Sequence, residues 1–152
     1  MEDVEQLLND YESRKRQETA AAKERSDRNN RVADQARRVF SGTVIPVLSE
    51  VASKLSEGGH MAEVRESLDD TPSGGLYPSV VFIFRPQDVQ YELSKLSLKL
   101  KVDTDLITVT KEVSTPRADD HRSTKTWPLD DISERKVRDE VMEFIKSVLD
   151  AN

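Results

Sequence analysis

The chain has 152 residues, of which 36% are hydrophobic, 34% charged and 5% aromatic, and it has no cysteine. The length fits one domain, and the lack of cysteine excludes a disulfide framework, a thiolate metal site and a cysteine nucleophile, and fits a reducing cytoplasm. A net charge of −6 opposes attraction of the whole surface to nucleic acid or anionic lipid, yet residues 14–38 hold nine bases against four acids, so a basic rod joins an acidic remainder.

Residues 1–10 carry four acids and no base. They lack the apolar run of a signal peptide, and no stretch approaches the roughly 18 apolar residues of a membrane span, so a cytoplasmic protein without a membrane role is expected. Neither proline nor glycine occurs before Gly42, and Glu, Lys, Arg, Gln and Ala dominate, which predicts helix over residues 2–40. Val4, Leu7, Leu8 and Tyr11 form a short apolar stripe on that helix. From there to Arg31 the only non-polar residues are Ala20, Ala21 and Ala22, so this middle stretch has no core face. The chain divides accordingly into a charged helical arm, residues 1–31, and a compact domain, residues 32–152.

From Val32 the core stripe returns at steps of three and four in Val32, Ala36, Val39, Phe40, Thr43, Val47, Val51 and Leu55. The periodicity runs through Gly42 and Pro46, predicting one core helix kinked there, and Gly58 and Gly59 supply a left-handed stop. Ala62, Val64 and Leu68 alternate with polar residues as a half-exposed strand. Residues 80–84, Val-Val-Phe-Ile-Phe, are apolar at every position and predict a strand covered on both faces, by helices on opposite sides or by a second subunit. Leu96, Leu98, Leu100 and Val102 alternate with lysines and Ser97, and Ile107, Val109 and Val113 do the same with Thr108, Thr110 and Glu112. A hairpin centred on Thr104 and Asp105 would pair Val102 with Ile107, Leu100 with Val109 and Leu96 with Val113. Ser123 to Trp127 add an edge strand ended by Pro128. Asp130 or Asp131 caps a last helix whose stripe is Val137, Val141, Phe144, Ile145 and Val148. The fold class is α+β: a long N-terminal helix, four or five mainly antiparallel strands and a C-terminal helix packed on the sheet.

Chemistry-bearing motifs are sparse. His121 with Asp119 and Asp120, joined by His60 or Glu63, is the best metal candidate, but adjacent loop ligands point apart, so no metal and no cofactor are expected. His60, beside two glycines, reads as a cation at a helix end. Asp69 with Asp70, Asp103 with Asp105, and Asp130 with Asp131 are carboxylate pairs, each already suited to a turn, a hairpin or a cap. The run from Thr71 through Pro72 and Ser73 to Gly74 and Gly75 lacks the Gly-Lys-Ser/Thr ending of a phosphate loop. Tyr91 and Trp127 are single aromatics suited to packing. No serine stands in a nucleophile elbow.

Two features remain. The stripe of Val4, Leu7, Leu8 and Tyr11 needs a surface: a second copy, giving a homodimer, another protein, or the chain's own body after a hinge. The bases Arg14, Lys15, Arg16, Lys23, Arg25, Arg28 and Arg31 (with Arg37 and Arg38 beyond) could follow a phosphate backbone, although acids are interspersed and no aromatic side chains interleave for stacking. The sequence therefore points to a non-enzymatic adaptor or assembly module acting through the arm and the sheet face, with a nucleic-acid-associated protein using residues 14–38 as the alternative.

Overall fold

The computed structural model describes residues 2–69, 77–89, 93–115 and 121–151. Helix α1 runs over Glu2–Val39, passes through a wider π-helical turn at Phe40–Val44 and continues as α2 over Ile45–Glu57. Five strands follow, β1 Met61–Ser67, β2 Ser79–Arg85, β3 Ser94–Leu100, β4 Leu106–Val113 and β5 His121–Pro128; a short 3₁₀ turn at Leu129–Asp131 leads to α3, Glu134–Ala151. The expected α+β order is the observed one.

The π turn replaces the expected kink. Proline has no N–H and its ring clashes with the carbonyl four residues back, which for Pro46 is that of Gly42. Opening the preceding turn, with the Ile45 N–H donating to the Phe40 carbonyl, accommodates the ring without ending the helix. Phe40 and Val44 are both buried at this turn. The helix stops in a Schellman motif: Gly59, at φ +87°, donates to the Ser56 carbonyl at 3.0 Å, and His60 donates to the Leu55 carbonyl at 3.1 Å.

The sheet is an antiparallel meander in the order β1-β2-β3-β4-β5. Val80, Phe82 and Phe84 of β2 share a face with Leu96, Leu98 and Leu100 of β3 and with Ile107, Val109 and Val113 of β4, and all are buried. Both helices cover this same face. Ala33, Ala36, Phe40, Val47, Leu48 and Val51 come from the first helix, and Val137, Val141, Phe144 and Val148 from α3. Phe144 meets Phe82 edge-on with ring centroids 6.1 Å apart.

The expectation of helices on opposite faces is thereby corrected. Among the described residues the other face of the sheet carries no helix, and its side chains are mostly polar: Glu63, Arg65, Lys95, Ser97, Lys99, Thr108 and Thr110. Ile83, buried there between its cross-strand neighbours Glu63 and Lys95, lies outside the main core.

The β3–β4 hairpin sits two residues away from the expected register, with Leu100 opposite Ile107, Leu98 opposite Val109 and Leu96 opposite Lys111. A shift of two keeps every side chain on its face, so alternation alone does not choose between the registers. The turn chooses. Thr104 Oγ1 donates to the Lys101 carbonyl at 2.9 Å and accepts from the Leu106 N–H at 3.1 Å. Asp103 takes φ 57°, a left-handed conformation that aspartate tolerates. Lys101 N–H then closes the ladder on the Leu106 carbonyl at 2.9 Å, leaving Val102 in the turn.

The start of α3 also differs from expectation. Ser133 is the cap, its hydroxyl accepting from the Lys136 N–H at 3.1 Å. Asp130 and Asp131 lie in the preceding 3₁₀ turn, where Asp131 pairs with Lys136 Nζ at 2.7 Å.

Two glycine substitutions should act in opposite directions. A Cβ at Gly42 meets nothing within 4 Å, so Gly42→Ala should stabilise by about 0.5–1 kcal/mol through helix propensity. A Cβ at Gly59 would lie 3.0 Å from Gln87 Oε1 on a backbone with positive φ, so Gly59→Ala should destabilise by about 1 kcal/mol or more. Urea melts of the two variants check the pair of signs.

Candidate functional site

The feature that stands apart from the body is the arm. Every residue from 3 to 28 is exposed. Local pairs hold this stretch helical without a core: Gln6 Nε2 donates to Asp10 at 3.0 Å, Arg16 lies 3.8 Å from Glu12, and Lys15 lies 3.8 Å from Glu18. Each such pair is worth only about 0.2–0.5 kcal/mol, but together with high propensity they maintain a long solvated helix.

At the far part of this helix Val4 is 55% exposed, Leu7 69%, Leu8 56% and Tyr11 50%. The distance along the axis from Val4 to Ala33, where the helix enters the core, is about 45 Å at 1.5 Å per residue. Because α1 is one unbroken helix, the stripe stays away from the body. A return to the chain's own core after a hinge is not how this helix is built.

Tyr11 has Arg14 and Lys15 over its ring, at 5.8 and 5.6 Å from the centroid. Arg14, Lys15, Arg16, Lys23, Arg25, Arg28 and Arg31 are all exposed. At 3.6 residues per turn they spread around the helix: Arg14 and Arg25 lie on one side, Arg16 and Lys23 on nearly the opposite one. They form a charged collar with no single phosphate-facing row.

The base of the arm is tied down. Asn29 Nδ2 donates to Asp103 Oδ1 in the β3–β4 turn at 2.8 Å. Arg37 donates to the Leu68 carbonyl and pairs with Asp34. Beside Asp103, Val102 is 54% exposed, so the place where the arm leaves the body also presents an apolar side chain.

A second cluster lies outside the candidates drawn from the sequence. Glu140 of α3 is buried, with Lys125 Nζ hydrogen-bonded to Oε2 and Lys111 Nζ 3.3 Å from Oε1. Lys111 Nζ also reaches Glu143 at 3.1 Å. Burial disfavours the Lys111 ammonium, yet the hydrogen bond to Glu143 and the charge of Glu140 outweigh that cost and raise its pKa above the ordinary lysine value. The hydrogen bond from Lys111 and the positive charge of its ammonium lower that of Glu143. A lysine that nucleophilic or Schiff-base chemistry could use needs the opposite shift. The cluster therefore neutralises charge under α3. Its signal was polar residues at core periodicity: Lys111 continues the inward row of Ile107 and Val109, and Glu140 interrupts that of Val137, Val141 and Phe144.

The remaining candidates do not converge. His60 Nδ1 accepts from the Gln87 N–H at 3.0 Å and its ring meets Phe84 edge-on at 6.0 Å, so it packs between the end of α2 and the loop after β2. His121 is exposed at the start of β5, while Asp119, Asp120, Asp70, Tyr91 and residues 71–75 lie outside the described residues. Among the described residues no group of three or more histidine, aspartate or glutamate side chains could hold a metal ion, and no helix is long and apolar enough to cross a membrane. Trp127 is buried beneath Lys125 and Lys136, whose Nζ atoms lie 5.7 and 5.1 Å from the ring. A cleft of about 410 Å³ lined by Lys111, His121, Arg122 and Ser147 holds a base already committed to two carboxylates.

Comparison of the chain with protein-family models, with curated proteins and with solved structures gave no match.

Glu140→Gln should cost about 2 kcal/mol at neutral pH, because it leaves Lys111 facing the core face without its buried counter-charge. The lowered Glu143 pKa contributes stability that is present above its ordinary value of 4.5 and is lost as pH falls through the lower folded value. The raised Lys111 pKa contributes stability that is lost only above its ordinary value of 10.5. Chemical melts between pH 3 and 7 should therefore show an acid-side decline that is weaker in Glu143→Gln.

Proposed function

We propose that this chain is a cytoplasmic, non-enzymatic adaptor or assembly module that engages another protein surface through its helical arm. The observation that carries this reading is the exposure of Val4, Leu7, Leu8 and Tyr11 together on one side of a helix held about 45 Å from the core. An amphipathic helix of this kind docks by placing residues at spacings of three and four into an apolar groove or against another helix. The open, polar face of the sheet, crossed by a shallow groove of about 380 Å³ that includes Ser97, Lys99, Thr108 and Thr110, offers a second contact surface of a different chemistry.

The test is capture from the source lysate with wild-type chain and with Leu7→Asp/Leu8→Asp, each with and without nuclease. The double variant should keep the circular dichroism and melting of the body and lose the partners, because two carboxylates cannot enter an apolar groove without several kcal/mol of desolvation. An unchanged set of partners on the variant would overturn the reading. Partners that vanish with nuclease and weaken steeply between low and moderate salt would transfer the function to the collar of bases at residues 14–31 and to nucleic acid.

A further inference from the structure

The surface that the arm fits best is another arm. Seen down an ideal helix, Val4, Leu8 and Tyr11 lie on the same side as Ala33, Ala36 and Phe40, which enter the core. Lys15, Glu18, Ala22, Arg25 and Asn29 continue that side between them. A partner lying along this face would run from the stripe to the body's edge without wrapping round the helix.

Charge decides what that partner is. Residues 2–12 hold five acids and no base, whereas residues 14–38 hold nine bases and four acids. Two copies side by side in parallel would place acid on acid and base on base. Reversed, each acidic segment lies on the other copy's basic one, and a two-fold axis makes both contacts at once.

We propose that two copies of this chain associate through their arms as an antiparallel helix pair, a reading that rests on the arm being a protein-docking surface. One register satisfies the shared face throughout. Lys15 lies opposite the partner's Glu18, and by symmetry Glu18 opposite the partner's Lys15. Tyr11 lies over the partner's Ala22, where a methyl group leaves room for the ring. Leu8 covers the stem of the partner's Arg25, whose charged head stays in water. Val4 arrives over the partner's Asn29, beside the exposed Val102 of the β3–β4 turn. Five of the seven large apolar residues that stand exposed among the described residues, Val4, Leu7, Leu8, Tyr11 and Val102, fall within this contact. The small Ala20–Ala22 segment and the position of Val102, neither of which a solitary solvated helix requires, both find a use.

Sedimentation equilibrium of the wild-type chain should give twice the chain mass. Because the chain has no cysteine, engineered thiols report orientation cleanly. Chains carrying Tyr11→Cys and chains carrying Ala22→Cys should form disulfide-linked dimers when mixed and oxidised, and neither should do so alone. Self-linking of either variant alone would mean a parallel pair and overturn the inference. Lys15→Glu should weaken the dimer by about tenfold or more through like charges at the two-fold axis, and Lys15→Glu/Glu18→Lys should restore it. A wild-type chain that sediments as a monomer overturns the inference, and the effect of Leu7→Asp/Leu8→Asp on captured proteins then reports separately whether the arm docks on something else.

Discussion

The whole structure depends on covering one face of a five-stranded meander. Phe82, Phe84, Leu96, Leu98, Leu100, Ile107 and Val109 all project to that side, and a sheet whose one face is this apolar is stable only with a second layer against it. Two helices supply the layer, one from each end of the fold, and the first of them is the inner half of a helix that also makes the arm. The arm is therefore not an appendage on a linker. Its direction is set by the packing of Ala33, Ala36, Phe40 and Val44, and any partner on the arm meets a surface oriented by the core.

Local pattern made most of this legible. Helix propensity with no Gly or Pro before Gly42, the alternation in Leu96 to Leu100, and the three-and-four spacing in Val137 to Val148 each depend on neighbours along the chain, so the elements and the inward faces could be read directly. What depended on contacts between elements could not. The hairpin register turned on the Thr104 hydroxyl and the left-handed Asp103, since both registers satisfied the same alternation. The reading of residues 80–84 as covered twice treated Ile83 as evidence of a second layer, whereas it is buried on a polar face between Glu63 and Lys95. The site followed the same division. Val4, Leu7, Leu8 and Tyr11 were visible because an apolar stripe in a polar helix is a one-dimensional signal, while the Lys111–Glu140–Lys125 cluster exists only once β4, β5 and α3 meet.

That cluster shows how the fold accommodates charge at a site where a sheet expects an apolar row. Lys111 replaces what would be an inward aliphatic residue opposite Leu96, and α3 answers with a buried glutamate at the matching position. Neither charge is stable there alone. Lys111 and Lys125 reach Glu140 from adjacent strands, so the ion pairs join α3 to both β4 and β5 at one point.

The π turn between α1 and α2 gives the molecule a further property. An α-helix advances 100° per residue, and the turn at Phe40–Val44 holds one residue more than an α-helical turn would. That additional residue sets the rotational phase of the outer helix against the inner one. Loss of a single residue there would leave both helices α-helical, yet rotate α1 by about a quarter turn around its own axis and carry Ala33 and Ala36 off the sheet. The face that the arm presents is thus locked to the core, and a lineage that re-aimed it by one codon would also have to repack the residues where the arm begins.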